Sequence, residues 1–166
     1  MISLKVVDIK AFMSSLLVHN VFDNFLVSEL DIGTFNQFHI SGKINEEFYS
    51  SDELEILGDR KYSTWSEVKP IAYTLLKGNK LPLSVKIVFL LSPTNTENVL
   101  RKSGLPIQIT DINGLFLNIR YEKGILNLIT GTSIKTFTMD KSLEHEWDAN
   151  VKTFLKHYEI AVEENK

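Results

Sequence analysis

The chain has 166 residues, of which 43% are hydrophobic and 23% are charged, and this is enough apolar material for one domain with its own core. Its net charge of -3 is not typical of a dedicated nucleic-acid-binding protein, which is more often basic overall. The chain has no cysteine, which excludes disulfides, a cysteine nucleophile and thiolate metal sites.

The beginning of the chain does not resemble a signal peptide. Asp8 and Lys10 interrupt its apolar residues early, so no basic start followed by an unbroken apolar run is present. No apolar segment reaches the ~18 residues that a membrane span needs. We therefore expect a soluble, cytoplasmic protein with no membrane partner.

The first third of the chain predicts a strand, a helix and further strands. Residues 2–7 are β-prone, and Asp8 follows at a helix N-cap position. Residues 25–32 and 35–49 are again β-prone, with Gly33-Thr34 between them as a turn signal. The helix is indicated by apolar residues at helical spacing: Ile9, Phe12, Met13, Leu16 and Leu17.

The middle of the chain predicts a loop and one helix. Residues 50–64 are the most polar stretch, and we expect a surface loop. Thr64 and Glu67 have capping-box spacing, but Pro70 would then lie deep inside a helix. Either the helix is kinked or it begins at Ser66 or later, and we expect it over residues 66–77.

The second half predicts a buried strand, a helix, three strands and a final helix. The run LSVKIVFLL, residues 83–91, is apolar enough for burial on both faces. Ser92-Pro93 opens a helix that Gly104 closes. The three strands are expected at residues 114–121, 125–130 and 133–139, and the last helix at about 142–159.

This order repeats as strand, helix and three strands, once in residues 2–49 and once in residues 83–139. ISGKINEEF (40–48) aligns with ITGTSIKTF (129–137), but the match is short. We predict one α+β domain over residues 1–166, with about eight mostly antiparallel strands in two pseudo-repeated halves. The predicted core includes Phe12, Leu16, Ile71, Leu75, Ile87, Phe89, Leu117, Ile119, Leu128, Trp147 and Phe154.

Two such units in one domain are similar to one domain of a DNA sliding clamp. The resemblance implies helices that carry many basic residues toward DNA. Here the first helix offers only Lys10, and the second offers Arg101 and Lys102. The similarity therefore concerns architecture, and fold alone does not assign function.

The candidate site follows from the register of the hairpin in residues 114–130. A two-residue turn at Lys123-Gly124 places Ile119 opposite Leu128 on a core face. The other face then carries Arg120 beside Asn127 and Asn118 beside Ile129, with Lys135 approaching from the next strand. The candidate binding residues are Asn118, Arg120, Asn127 and Lys135, whose side chains suit a phosphate, a carboxylate or a protein partner with Phe116 and Ile129 as apolar contacts.

Three other groups are weaker candidates. His145 and Asp148 have the i, i+3 spacing of two metal ligands on a helix. Lys69, Lys77 and Lys80 lie near Trp65, a combination that serves single-stranded nucleic acid. For both sets, and for the scattered histidines and loop carboxylates, solvated surface positions are the preferred interpretation. We predict no metal site and no cofactor.

Four stretches together resemble a family of uncharacterised proteins from Clostridia and related Firmicutes, known only as a domain of unknown function. They are TFNQF (34–38), residues 65–93 from WSEVKP to FLLSP, GLFLNIRYEKG (114–124) and GTSIKTFTMDKSLEHEWD (131–148). The resemblance spans nearly the whole chain and implies a bacterial, cytosolic, stand-alone domain. It carries over no activity, cofactor or catalytic residue.

No phosphate-binding loop, nucleophile elbow or zinc-helix motif is present in the sequence. We therefore favour a non-catalytic binding or interaction module that meets a protein partner or associates with itself. A nucleic-acid-binding domain is the first alternative, and a small hydrolase or metal-dependent enzyme is the second.

Overall fold

The structure, a computed structural model, describes all residues from 1 to 166. Seven strands and five α-helices are joined by short loops and two 3-10 turns. The strands are β1 (Ser3–Val6), β2 (Leu26–Gly33), β3 (Gln37–Ser41), β4 (Ser84–Leu90), β5 (Ile112–Glu122), β6 (Ile125–Ile134) and β7 (Val162–Glu164). The helices are α1 (Ile9–Leu17), α2 (Ser51–Leu57), α3 (Trp65–Leu76), α4 (Pro93–Ser103) and α5 (Ser142–His157).

All seven strands form one antiparallel sheet in the order β3-β2-β4-β5-β6-β1-β7. The α+β class and the antiparallel pairing are as predicted. None of the five helices is long and apolar enough to cross a bilayer.

The sheet has a core on one face only. Along β4, buried residues alternate with half-exposed ones, and the buried set includes Val85, Ile87 and Phe89. Helices α1, α3, α4 and α5 add their buried side chains to the same single cluster. The opposite face, called the open face below, carries the other half of each strand's side chains. The prediction that residues 83–91 are buried on both faces is therefore wrong.

The β5–β6 hairpin has the predicted register. Tyr121 lies opposite Leu126, and Ile119 lies opposite Leu128. The turn residues Lys123 and Gly124 have φ values of 53° and 78°, as a type I′ turn requires.

The predicted third strand at residues 133–139 does not form. Strand β6 continues unbroken to Ile134, because Gly131 and Thr132 pair with Phe116 and Leu115 instead of making a turn. Each half of the chain therefore contains a strand, a helix and two strands. The internal duplication and the similarity to a clamp domain stay predictions.

Residues 50–64 are not only a loop, because they contain α2. Ser50 and Glu53 form a capping box at its start, with Ser50 Oγ accepting from Glu53 N at 3.2 Å. The predicted strand at residues 35–49 is shorter than expected, since β3 ends at Ser41 and a 3-10 turn occupies Glu46–Phe48.

Helix α3 begins at Trp65, one residue before the predicted start, with Pro70 inside it. Trp65 is fully buried, and its Nε1 donates to the Leu16 carbonyl at 2.7 Å. The buried side of the helix also includes Val68 and Ala72. Ile71 points away from this side and is 53% exposed, so its placement in the core was wrong.

The other predicted core residues contact the core. Leu75 and Phe154 are half-buried against the cluster. The remaining eight are buried: Phe12, Leu16, Ile87, Phe89, Leu117, Ile119, Leu128 and Trp147.

Candidate functional site

A row of basic and amide side chains crosses the open face on four adjacent strands. Lys86 on β4 lies opposite Arg120 on β5, Arg120 lies opposite Asn127 on β6, and Asn127 lies opposite Lys5 on β1. We call these four residues the basic row. Because neighbouring strands are about 4.8 Å apart, the row spans roughly 14 Å.

The cations of the basic row are largely unpaired. Lys86 and Arg120 lie directly opposite each other, an arrangement in which like charges repel. Lys86 takes part in one ion pair, with Glu29 Oε2 at 3.8 Å. Lys5 and Arg120 are exposed and take part in none of the nine ion pairs. An anion bound between Lys86 and Arg120 would relieve their repulsion.

Two asparagines hold defined positions beside these cations. Asn118 Nδ2 donates to the Ile129 carbonyl at 3.2 Å. Asn127 Oδ1 accepts from Asn165 Nδ2 at 2.9 Å, which leaves the Asn127 amide hydrogens available as donors. The Asn127 amide therefore adds hydrogen-bond donors to the cations of the basic row.

Acidic residues border the row on both sides. On β2, Asp31 lies opposite Lys86, and Asp31 Oδ1 is 2.6 Å from His39 Nδ1 on β3. On β7, Glu163 lies opposite Lys5. Half-exposed Val88 and Ile129 lie beside the row on β4 and β6. The positive surface is thus narrow and has apolar neighbours.

Lys135 does not belong to this site. It lies just beyond the end of β6, where its backbone N donates to the Asp111 carbonyl at 2.9 Å. Asn127 is eight residues earlier in the chain. At ~3.3 Å per strand residue, Lys135 therefore lies about 26 Å from Asn127 in the direction of the strand. The prediction failed because it placed a turn between Lys135 and the hairpin.

The structure separates His145 from Asp148. Asp148 is buried, and its Oδ1 accepts from Thr130 Oγ1 at 2.5 Å, while its Oδ2 lies 3.3 Å from the Met1 ammonium. His145 is exposed. No group of three or more His, Asp or Glu side chains is placed to hold a metal ion.

The basic residues near Trp65 also do not form a site. Trp65 is buried in the core and has no face for stacking. Lys69 Nζ donates to Asp23 Oδ1 at 2.7 Å and to the His19 carbonyl at 3.2 Å. Only Lys77 and Lys80 remain exposed.

A cavity of about 230 Å³ lies between α4 and α5. Its apolar lining includes Phe25, Trp147 and Phe154, and its polar lining includes Asn98 and Lys102. It contains no carboxylate or imidazole, so it offers no acid–base pair.

Sequence reasoning missed Lys5 and Lys86, although a signal for both is present. Each is the single charged residue in a β-prone run, ISLKVV and LSVKIVFLL, and alternation assigns it to the polar face of its strand. Their place in one row with Arg120 depends on strand pairings over long sequence separations, which no local pattern contains.

Residues 15–163 match a family model described as "Family of unknown function (DUF5721)". No curated protein and no solved structure matches the chain.

Proposed function

We propose that this chain, which belongs to the DUF5721 family of unknown function, is a non-catalytic binding module. It binds an acidic segment of a partner protein across the open face of its sheet. The observation that carries the proposal is the basic row, in which Lys86 and Arg120 are adjacent and Arg120 and Lys5 take part in none of the ion pairs. We propose the cytoplasm as its compartment, where a chain without cysteine needs no disulfides.

The dimensions of the row favour a short acidic segment over a long polyanion. The positive surface is about 14 Å wide, and Asp31 and Glu163 lie at its two ends. These carboxylates would repel a phosphate backbone that continued past the row. The row also lacks an exposed aromatic side chain on which a base could stack.

Binding without catalysis fits the chemistry of the row. The row consists of two lysines, one arginine and one asparagine. Their side chains hold an anion by charge and by hydrogen bonds, and the row contains no carboxylate or imidazole that could pair with them as a general acid or base. Val88 and Ile129 would contact apolar side chains of the bound segment, as the apolar parts of protein interfaces do.

A fluorescence-polarisation experiment tests this proposal. The probe is a labelled pentapeptide that alternates Asp or Glu with Val, which is about 16 Å long when extended and so matches the row. We expect saturable binding that weakens as salt is raised, because the contacts are ionic. The double variant Lys5→Glu/Arg120→Glu should bind at least about tenfold more weakly, since it reverses two of three cations in the row.

The matched control is Lys10→Glu/Lys156→Glu, which changes the net charge equally at exposed positions of α1 and α5. It should bind the peptide like the native chain. Equal losses in both double variants would show general charge attraction and contradict the proposal. A single-stranded oligonucleotide that binds more tightly than the peptide, and that depends on Arg120, would replace it with the nucleic-acid alternative.

A further inference from the structure

The free edge of the sheet at β3 suggests a second interaction surface. We propose that two copies of this chain pair antiparallel through β3, about a two-fold axis at His39. The two seven-stranded sheets then join into one continuous sheet. This pairing uses the edge and not the basic row, so it stands whether or not the acidic-segment proposal is correct.

The backbone of β3 presents unpaired groups in the required pattern. Gly42 N donates to the Ser28 carbonyl on β2 at 3.0 Å. Backbone groups alternate between the two sides of an antiparallel strand, so Phe38 and Ile40 also face β2. The N–H and C=O groups that face outward are those of Gln37, His39 and Ser41.

The outward groups are self-complementary. With the two-fold axis at His39, His39 lies opposite its own copy, and Gln37 lies opposite Ser41 of the second copy. Each of these three pairs exchanges two backbone hydrogen bonds, so about six bonds form. On the core side, Phe38 comes opposite Ile40 of the second copy. Both are half-buried in one chain, and pairing would cover them further.

Strand β3 lacks the features that normally protect an edge. Proteins blunt free edges with lysine, proline, bulges or very short strands, and QFHIS has none of these over its five residues. Phe35, beside it in the β2–β3 loop, is 86% exposed and packs edge-on against Phe38.

The other edge of the sheet is protected. Strand β7 has only three residues, two of which are Glu163 and Glu164. Lys152 Nζ lies 3.1 Å from Glu164 Oε2 and holds that edge against α5. Carboxylates on adjacent residues would repel the same residues of a second copy, so pairing is expected at β3 and not at β7.

The pairing would set the geometry of two open faces. An axis perpendicular to the sheet keeps both open faces on the same side. Arg120 lies three strands from β3, so seven strand spacings, or about 34 Å, separate the two copies of Arg120. A partner with two acidic segments would then be bound with avidity.

Sedimentation velocity and light scattering of the purified chain up to about 200 µM test the dimer, because dimers with a dissociation constant near or below that value become visible. We expect twice the chain mass of 19.0 kDa. His39→Pro removes an outward N–H and leaves the bonds to β2 intact. It should raise the dimer dissociation constant at least about tenfold while circular dichroism stays unchanged. A native chain that is monomeric throughout would overturn the proposal.

A charge-swap pair tests the register without proline. Gln37→Lys/Ser41→Lys places lysine opposite lysine at both ends of the pairing and should be monomeric. Gln37→Glu/Ser41→Glu should be monomeric for the same reason. Mixed one to one, the two variants should form a heterodimer, because each lysine then faces a glutamate. Failure of the mixture to associate, or dimers of either variant alone, would contradict pairing through β3.

Discussion

Single residues in this chain have roles that depend on what distant segments place beside them. Gly42 shows this most sharply, because it lies between β2 and the segment before α3. Its N–H donates to the Ser28 carbonyl at 3.0 Å, and its carbonyl accepts from Ser63 N at 2.8 Å. A Cβ at this position would lie 1.6 Å from the Val27 carbonyl oxygen. The residue therefore sets how closely three backbone segments approach.

Substituting Gly42 by alanine should destabilise the fold. The added methyl meets rigid backbone, so β2 or the segment at Ser63 must move. We expect the free energy of unfolding to fall by about 3 kcal/mol, measured by urea denaturation. Gly131→Ala is the control, because its nearest atom would be 3.8 Å away, at Phe116 Cβ. Equal effects of the two substitutions would contradict the close approach at Gly42.

At the scale of elements, α3 shows how a local motif and a tertiary contact act together. Thr64 and Glu67 form the capping box that the spacing predicts, with Thr64 N donating to Glu67 Oε1 at 2.8 Å. Arg60 joins them, with its Nη1 2.6 Å and its Nη2 3.3 Å from the Glu67 carboxylate. Partial burial raises the pKa of Glu67. The hydrogen bonds from Arg60 and Thr64 and the positive charge of Arg60 lower it by more, so the pKa lies below its ordinary value.

This lowered pKa predicts a pH-dependent stability. Glu67 contributes stability above the unfolded-state pKa of about 4.3, and the contribution is lost as pH falls through the lower folded-state pKa. Glu67→Gln should therefore lose less stability than the native chain between about pH 6 and pH 3. The difference at neutral pH should be below about 1 kcal/mol, because the carboxylate is 46% exposed.

Thermal unfolding across this pH range is the measurement, and Glu97→Gln is the control. Glu97 is an exposed carboxylate on α4 that takes part in no ion pair. If both variants changed the pH profile alike, the contacts of Glu67 with Arg60 and Thr64 would not be its source.

At the scale of the whole molecule, stability is unevenly distributed because the sheet is covered on one face only. The central strands β4 and β5 pair on both sides and carry fully buried side chains such as Ile87 and Ile119. Helix α2 contributes no buried residue, and Ile56 on it is 87% exposed. Its hydrogen bonds are therefore supported by capping and not by packing.

Hydrogen exchange should reflect this contrast. We expect amides of Ser51–Leu57 to exchange at least about a hundredfold faster than those of β4 and β5, because α2 can open without unfolding the core. Native-state exchange measured by NMR gives both rates on one sample. Equal protection of α2 and the central strands would show that α2 is held by contacts that the structure does not contain.

The candidate site was partly predictable from the sequence. Residues that are close in the chain could be placed beside each other, and residues that are distant in the chain could not. Arg120 beside Asn127 came from one hairpin, whose two-residue turn and alternating pattern fix its register. Lys86 and Lys5 were missed because β4 and β1 reach that hairpin from distant parts of the chain. The placement of Lys135 was wrong because separate strands were predicted at residues 125–130 and 133–139, whereas the pairing of Gly131 with Phe116 continues β6 to Ile134.

By itself the sequence determined the α+β class, most of the core and the β5–β6 register, because periodicity, turn residues and capping act between near neighbours. Only the tertiary structure decided that every helix with buried residues packs on one face, which left the other face open. It also decided that three cations meet across four strands and that β3 is an unprotected edge. These features depend on strand order, which is set by long-range burial and pairing that no local pattern records.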